Sequence, residues 1–370
     1  MTLAFEILAR AGAARRGRLT TPHGVIDTPA FMPVGTLGAV KGLTTRELEE
    51  AGASVMLANL YHLSLRPGID IIEQLGGLHN FTGWQRPILT DSGGFQVWSL
   101  AKLRKIDAGG VSFRSHLDGS LLRFTPESVV RSQQRMGVDI AMMLDECPPW
   151  PIEHGAAAKS LELTLAWAEK ARSAWDASRP GGLFGIAQGS AYEDLRLRAA
   201  ARLTELDFHG YAVGGVSVGE GIEHRRLAVE WTTPALPDGK PRYLMGLGTP
   251  RDILHGVIHG IDLFDCVMPA RHARHGMLFT HGGAVKIKNA RYKDDPTPID
   301  ERSSWPLART YSRAFFHHLY KAGEITAAVL GTLLNIRFYL DFMADLRERV
   351  PLGTLTDLAT ELAEREAGEA

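Results

Sequence analysis

Eight short apolar runs, most of them ending on a polar residue or a glycine, constrain this chain more than any other feature. They are 30–34 (AFMPV), 55–59 (VMLAN), 87–91 (PILTD), 139–145 (DIAMMLD), 183–188 (LFGIAQ), 210–215 (GYAVGG), 242–247 (RYLMGL) and 263–267 (LFDCV). Most do not alternate apolar with polar, which fits strands buried on both faces of a parallel sheet. Helix starts stand between them. Thr44 to Glu47 is a capping-box pattern, and Thr125-Pro126 and Thr249-Pro250 each place a cap before a proline in the first turn. Eight strands with intervening helices predict an α/β chain folded as a (β/α)8 TIM barrel. Residues 104–125 predict an inserted β-hairpin turning at Asp118-Gly119, and 277–295 further strands. Residues 310–349 predict helix, with Leu330, Leu334, Phe338, Phe342 and Leu346 on one stripe. No internal repeat or linker interrupts the chain. It reads as one domain over 1–370: a barrel from about 28 to 270, a subdomain from about 271 to 350, and a tail over 351–370.

Composition narrows the setting. Of 370 residues, 45% are hydrophobic and 22% charged, the profile of a soluble globular protein. Uncharged runs fall short of a membrane helix, and the N-terminus does not read as a signal peptide. Two cysteines, Cys147 and Cys266, point to a reducing cytoplasm. Net charge is −1, so a nucleic-acid surface has to be local. One candidate exists: Arg271, Arg274, Lys286, Lys288, Arg291 and Lys293 fall in one stretch without Asp or Glu. Such a cluster is either a polyanion-binding face or a solvated loop.

The strand ends carry the chemistry. Asn59, Asp91, Asp145, Gln188, the Gly214-Gly215 pair and Asp265 each end a different strand, the edge where barrel active sites are built. A single Asp there is commonly a helix cap. Three Asp with a Gln and a glycine pair describe a polar pocket. Two carboxylates suit glycosidic chemistry, one attacking the anomeric carbon and the other moving protons. A third beside an amide and bare backbone suits reading a purine edge. Phe95 and Met245 could sandwich a flat base or simply belong to the core.

At this point the residues resemble a known family. ANLYHLSLRPG (58–68), LTDSGGFQVWSL (89–100), LDECPP (144–149), FGIAQGS (184–190), GYAVGGVSVGEG (210–221), YLMGLGTP (243–250), LFDCVMPARHARHG (263–276) and IKNARY (287–292) are similar to the bacterial tRNA-guanine transglycosylases, in order along the chain. The resemblance implies exchange of guanine at the wobble position of a tRNA with a GUN anticodon for a 7-deazaguanine, in queuosine biosynthesis. It implies Asp265 as the nucleophile on C1′ of the ribose and Asp91 as general acid/base. Asp145, Gln188 and the Gly215 backbone would read the base edge, and Phe95 and Met245 would hold its faces. Cys147 and Val218 match the type that takes the aminomethyl base preQ1. Arg271 and Arg274 would hold the anticodon loop, with Lys286, Lys288 and Arg291 extending the RNA surface. The family also allows a homodimer.

The resemblance implies a structural zinc as well, held by a Cys-x-Cys-x2-Cys cluster and a later His. Those positions are Ser303, Trp305, Ala308 and Leu334 here, and His317 and His318 match non-ligand histidines, so no bound metal is expected. Three other readings compete: a non-catalytic paralogue, an altered-substrate paralogue, and a small-molecule barrel hydrolase. The last leaves the basic stretch unexplained.

Overall fold

Strands buried on both faces have no solvent side, so each needs a neighbour on either edge and a helix behind it. A computed structural model, which describes residues 2–96 and 104–367, shows how the chain meets that demand. Residues 97–100 of the 89–100 segment and the last three of the tail lie outside the described residues.

An N-terminal sheet comes first: β1 (Ala4–Ala11), β2 (Ala14–Thr21) and β3 (Gly24–Thr28), antiparallel in that order. The barrel begins with β4 (Ala30–Pro33), β5 (Met56–Asn59) and β6 (Ile88–Asp91). An inserted sheet follows, formed by β7 (Arg104–Asp107), β8 (Gly110–Arg114) and β9 (Leu121–Phe124). Then come β10 (Ile140–Met142), β11 (Gly182–Ala187), β12 (Gly210–Val213), β13 (Arg242–Leu244) and β14 (Leu263–Cys266). The eight barrel strands are parallel, in the order β4-β14-β13-β12-β11-β10-β6-β5. A parallel bridge from Val34 to Leu57, with the Gly35 N–H donating to the Leu57 carbonyl at 2.7 Å, brings the two end strands together. The eight apolar runs are the eight strands, and the barrel is the one the sequence predicts.

Four details differ. The 104–125 insertion is a three-stranded sheet, because Arg104–Asp107 pairs with the near side of the expected hairpin. In 277–295 only β15 (Met277–Thr280) and β16 (Gly283–Lys286) are strands, followed by a 3₁₀ turn at Ala290–Tyr292. The 310–349 helix is broken. Gly323, at φ 75°, closes Arg313–Ala322, and a second helix runs over Ile325–Leu352. That second helix is long and apolar enough to cross a membrane by length and composition, with mean hydropathy 1.3, but half of its most apolar window is buried within the fold.

The fourth difference is the N-terminal sheet, which the apolar runs did not announce. Its strands carry charge, yet Arg15 is fully buried and makes a two-pronged contact with Asp262, just ahead of β14. The Asp262 carboxylate also accepts from the Arg242 N–H at 2.7 Å, at the start of β13. His23 in the β2–β3 turn reaches Asp139, ahead of β10. The sheet therefore closes the N-terminal end of the barrel through buried, paired charge and leaves the opposite end open.

Candidate active site

The open end is where β5, β6, β10, β11, β12, β13 and β14 finish. A cleft of ≈ 350 Å³ lies there, within the size range of small-molecule sites. Asp91, Phe95, Asp145, Cys147, Gln188, Gly215, Val218, Met245, Asp265 and Arg271 all line it. Every residue expected to handle the base or the ribose thus borders one cavity, although the positions span 175 residues of chain from Asp91 to Asp265.

Asp91 ends β6. Its Oδ2 accepts from Asn59 Nδ2 at 2.5 Å, while Asn59 Oδ1 caps the helix Leu60–Leu65 by accepting from the His62 N–H. Asn59 is a helix cap and a site residue at once, so the two readings of a polar strand end are not exclusive here. Asp91 Oδ1 is buried without a partner. Burial, and then the charge of Asp265, push the Asp91 carboxyl up to about 7, against hydrogen bonds from Asn59, Leu60 and Gly93.

Asp265 sits in β14 and is 9% exposed. Its Oδ1 accepts from the Tyr243 hydroxyl at 2.6 Å and from the Gly246 N–H at 2.7 Å. Burial raises its pKa above the ordinary carboxylate value, and these two donors oppose the rise. The two carboxylates are therefore unlike: one has a bare oxygen and titrates near neutrality, the other is held on one oxygen by two donors. Divergent environments for paired carboxyls are the mark of divided acid/base and nucleophile roles.

The third carboxylate builds the other wall. Asp145 Oδ2 accepts from Gln188 Nε2 at 2.6 Å, and Ser92 Oγ lies 3.4 Å from Oδ1. Burial pushes Asp145 up to about 6. Gln188 Oε1, like Asp91 Oδ1, is buried and unpartnered. Gln96 Oε1, on another lining residue, is a third such atom; orphaned polar atoms are uncommon in a folded interior, and three around one cleft mark where a polar ligand completes the network. Gly215 has φ +63°, and a Cβ there would stand 2.1 Å from Gln188 Oε1, so only glycine lets this backbone approach the amide.

Arg196, on the helix Glu193–Glu205, holds these segments together. It is fully buried and donates to the carbonyls of Ala187, Ser190, Gly214 and Gly215. Sequence reading missed it, since nothing in a helix pattern tells a buried arginine from a surface one. It missed Tyr243 too, although Tyr243 lies two residues before Met245. Phe95 is 44% exposed at the rim, and Met245 is half-buried in the lining. Cys147 is buried, and burial pushes its thiol up to about 12, so it contributes shape rather than a nucleophile. Val218 lies on a turn whose N–H donates to Glu220 at 2.8 Å.

A groove of ≈ 310 Å³ adjoins the cleft, lined by Lys41, Arg271 and Arg274 with Val34, Thr36, Val267 and Ala270. Arg271 and Val267 belong to both. Lys286, Lys288 and Arg291 are exposed and lie outside both linings. The Arg291 guanidinium rests 4.8 Å over the Tyr292 ring, and Lys288 Nζ is 5.9 Å from that of Tyr320. Lys41 was not singled out by sequence, because it lies 230 residues before Arg271.

Ser303, Trp305, Ala308 and Leu334 converge on one small space in the C-terminal subdomain, beside Phe279 and the His281–Asp300 pair. Ala308 and Leu334 are buried in an apolar cluster with Leu278, Ile287 and Phe316. The Ser303 hydroxyl accepts from the Trp305 N–H, and Asp300 Oδ2 is taken by His281 through its N–H and its ring Nδ1. Among the described residues lining this space only His281 and Asp300 carry an imidazole or carboxylate, and they bond each other, so these residues do not fit a zinc site. His317 does not join them; its Nδ1 is 2.8 Å from the Ile287 carbonyl.

A family model described as queuine tRNA-ribosyltransferase matches residues 10–367. A queuine tRNA-ribosyltransferase of Aromatoleum aromaticum is 52% identical over 366 residues, covering 98% of this chain and 99% of the relative. That of Marinobacter nauticus is 49% identical, covering 97% and 96%. That of Thermoanaerobacter pseudethanolicus is 52% identical, covering 91% and 90%.

Proposed function

The chain belongs to the queuine tRNA-ribosyltransferase family, a family of tRNA-guanine transglycosylases, and from that premise we propose how its own residues carry out the exchange. The observation that carries the reading is the pair of unlike carboxylates, Asp91 and Asp265, on one cleft with a base-sized polar wall.

An Asp265 carboxylate oxygen bonds to C1′ of the target ribose as the C1′–N9 bond to guanine breaks. Asp91, protonated near neutral pH, gives its proton to the departing base. The entering 7-deazaguanine returns a proton to Asp91 as its own nitrogen displaces Asp265 from C1′. Two inversions leave the configuration retained. Asp145, the second proton of the Gln188 amide and the Gly215 backbone read the base edge, between Phe95 and Met245. Cys147 and Val218 shape the space for an aminomethyl group, which favours preQ1 as the entering base. Lys41, Arg271 and Arg274 steer the anticodon loop of a tRNA with a GUN anticodon into the cleft, and Lys286, Lys288 and Arg291 lie farther along the RNA path.

No zinc is proposed at the subdomain position, and apolar packing around Leu334 takes its place. The replaced ligands would equally suit a chain that keeps the fold without turnover. One experiment separates these readings: radiolabelled guanine exchange on tRNA, run with guanine, preQ1 and queuine. Exchange that favours preQ1 and is abolished by Asp265→Asn, with tRNA binding retained, supports the proposal. No exchange with any base selects the non-catalytic reading, and preference for another base selects an altered substrate.

A further inference from the structure

A group of metal-ligating side chains lies on the outer face of the barrel, away from the exchange chemistry. Glu230 is in the last turn of the helix Ile222–Thr232. His255 is in the neighbouring helix Pro250–Ile258, and His259 ends it. Spaced i, i+4, the two imidazoles share a helix face. Their ring centroids are 4.2 Å apart. One ligand atom from each of the three residues lies within 4.8 Å of the other two, and all three residues are partly buried.

The ring nitrogens are already set for a ligand. His259 Nδ1 is 2.8 Å from the His255 carbonyl, which engages that nitrogen and leaves Nε2 as the one to ligate. The His255 ring bonds the Arg226 backbone, and its Nε2 is buried with no hydrogen-bond partner. Glu230 Oε1 stands 3.5 Å from that orphaned nitrogen without hydrogen bonding to it. A zinc tetrahedron with ligand distances of 2.0–2.1 Å has an edge of about 3.3 Å, so this spacing suits two ligands of one ion.

We propose that Glu230, His255 and His259 bind a divalent transition-metal ion, zinc foremost, with the fourth position open to solvent. Two imidazoles and one carboxylate favour zinc and its neighbours over magnesium or calcium. The ion would staple the last turns of two adjacent outer helices, at the end of the barrel opposite the cleft. The charge of Arg226 also acts on His255 and opposes a cation, so binding should be weaker than at a thiolate site. The site shares no residue with positions 303, 305, 308 and 334 of the subdomain.

The other such group among the described residues, His23, His79 and Asp139, does not qualify. Asp139 already accepts from both imidazoles and from the His23 and Ile88 N–H groups, and the two rings stack at 3.5 Å. That trio is satisfied as it stands.

The test is calorimetric titration of the chelator-treated full chain with Zn²⁺, alongside thermal melts. Wild type should take one zinc per chain and melt at higher temperature with zinc than without. His259→Ala and Glu230→Gln should each weaken binding on the order of tenfold or more, lose the zinc-dependent rise in Tm, and keep guanine exchange unchanged. A wild-type chain that takes no zinc overturns the proposal, as do variants that bind as tightly as wild type. Binding lost in His281→Ala and kept in His259→Ala also overturns it, by moving the ion to the subdomain.

Discussion

The Tyr243 hydroxyl donates to Oδ1 of Asp265 over 2.6 Å, from the strand beside it in the barrel. Tyr243 is 1% exposed, and its burial beside Asp265 raises the phenol well above its ordinary pKa, so it stays a donor throughout the working range. It fixes one oxygen of the proposed nucleophile and favours its ionised form. Tyr243→Phe removes that charge-assisted bond, worth about 1.5–3 kcal/mol, and should lower the exchange rate by roughly ten- to a hundredfold. Without the donor the Asp265 pKa rises, so the acid limb of the rate profile should move to higher pH. Equal losses in tRNA affinity and rate, with no movement of that limb, would assign Tyr243 a purely structural role.

Asp91 gives a pH prediction with a definite sign. Its folded pKa of about 7 exceeds the ordinary 3.8, so between those values the folded state binds more protons than the unfolded one. Stability therefore falls as pH rises through that window. Asp91→Asn should be more stable than wild type at pH 8, on the order of 2 kcal/mol, with the difference gone below pH 4. The same titration should appear as an alkaline limb near pH 7 in kcat/KM for wild type. Chemical denaturation across pH reads the first effect and exchange kinetics the second. A stability difference independent of pH would refute the assignment.

Arg196→Met removes the guanidinium donor from the carbonyls of Ser190, Gly214 and Gly215, while Ala187 keeps the Gly214 N–H. The expected cost is at least about 3 kcal/mol in denaturant unfolding, since each buried carbonyl left unpaired is penalised. KM for the free base should rise more than Kd for tRNA, because the loosened segments carry Gln188 and Gly215 rather than the basic groove. Equal rises in both would place Arg196 in general folding alone.

Arg271→Ala, Arg274→Ala and Lys41→Ala should each weaken tRNA binding and reduce the slope of log K against log salt by roughly 1. Filter binding across a salt series measures it. Unchanged slopes in all three variants would move the RNA surface off the groove.

Leu334→Ala tests the apolar cluster of the C-terminal subdomain. Leu334 is 5% exposed and belongs to the buried subdomain cluster, so truncation should cost about 2–5 kcal/mol. A loss below about 0.5 kcal/mol in urea unfolding would mean the cluster does not hold the subdomain.

Much of the fold is legible because burial on both faces leaves a plain mark. VMLAN, LFGIAQ and RYLMGL are short, mainly apolar runs, and each carries a barrel strand. The N-terminal sheet leaves no such mark: β1 alternates exposed and half-buried positions, and β2 carries Arg15, Arg16 and Arg18. Arg15 reads as surface in sequence and is fully buried, because its partner Asp262 is 247 residues away. The break at Gly323 was readable in principle, since glycine favours the left-handed ending it adopts there.

The sequence by itself determined the eight-strand order, the residue types at each strand end and the presence of Ser, Trp and Ala, none of them a thiolate donor, at 303, 305 and 308. Those are local properties, written in runs of a few residues. The tertiary structure alone decided which carboxylate titrates near neutrality, that Tyr243 and Gly246 hold Asp265, that Arg196 fastens the Gly214-Gly215 backbone, and that Lys41 joins Arg271 in one groove. Each of these depends on desolvation or on contact between residues far apart in the chain. The folded barrel supplies both, by bringing strand ends together and excluding water from between them.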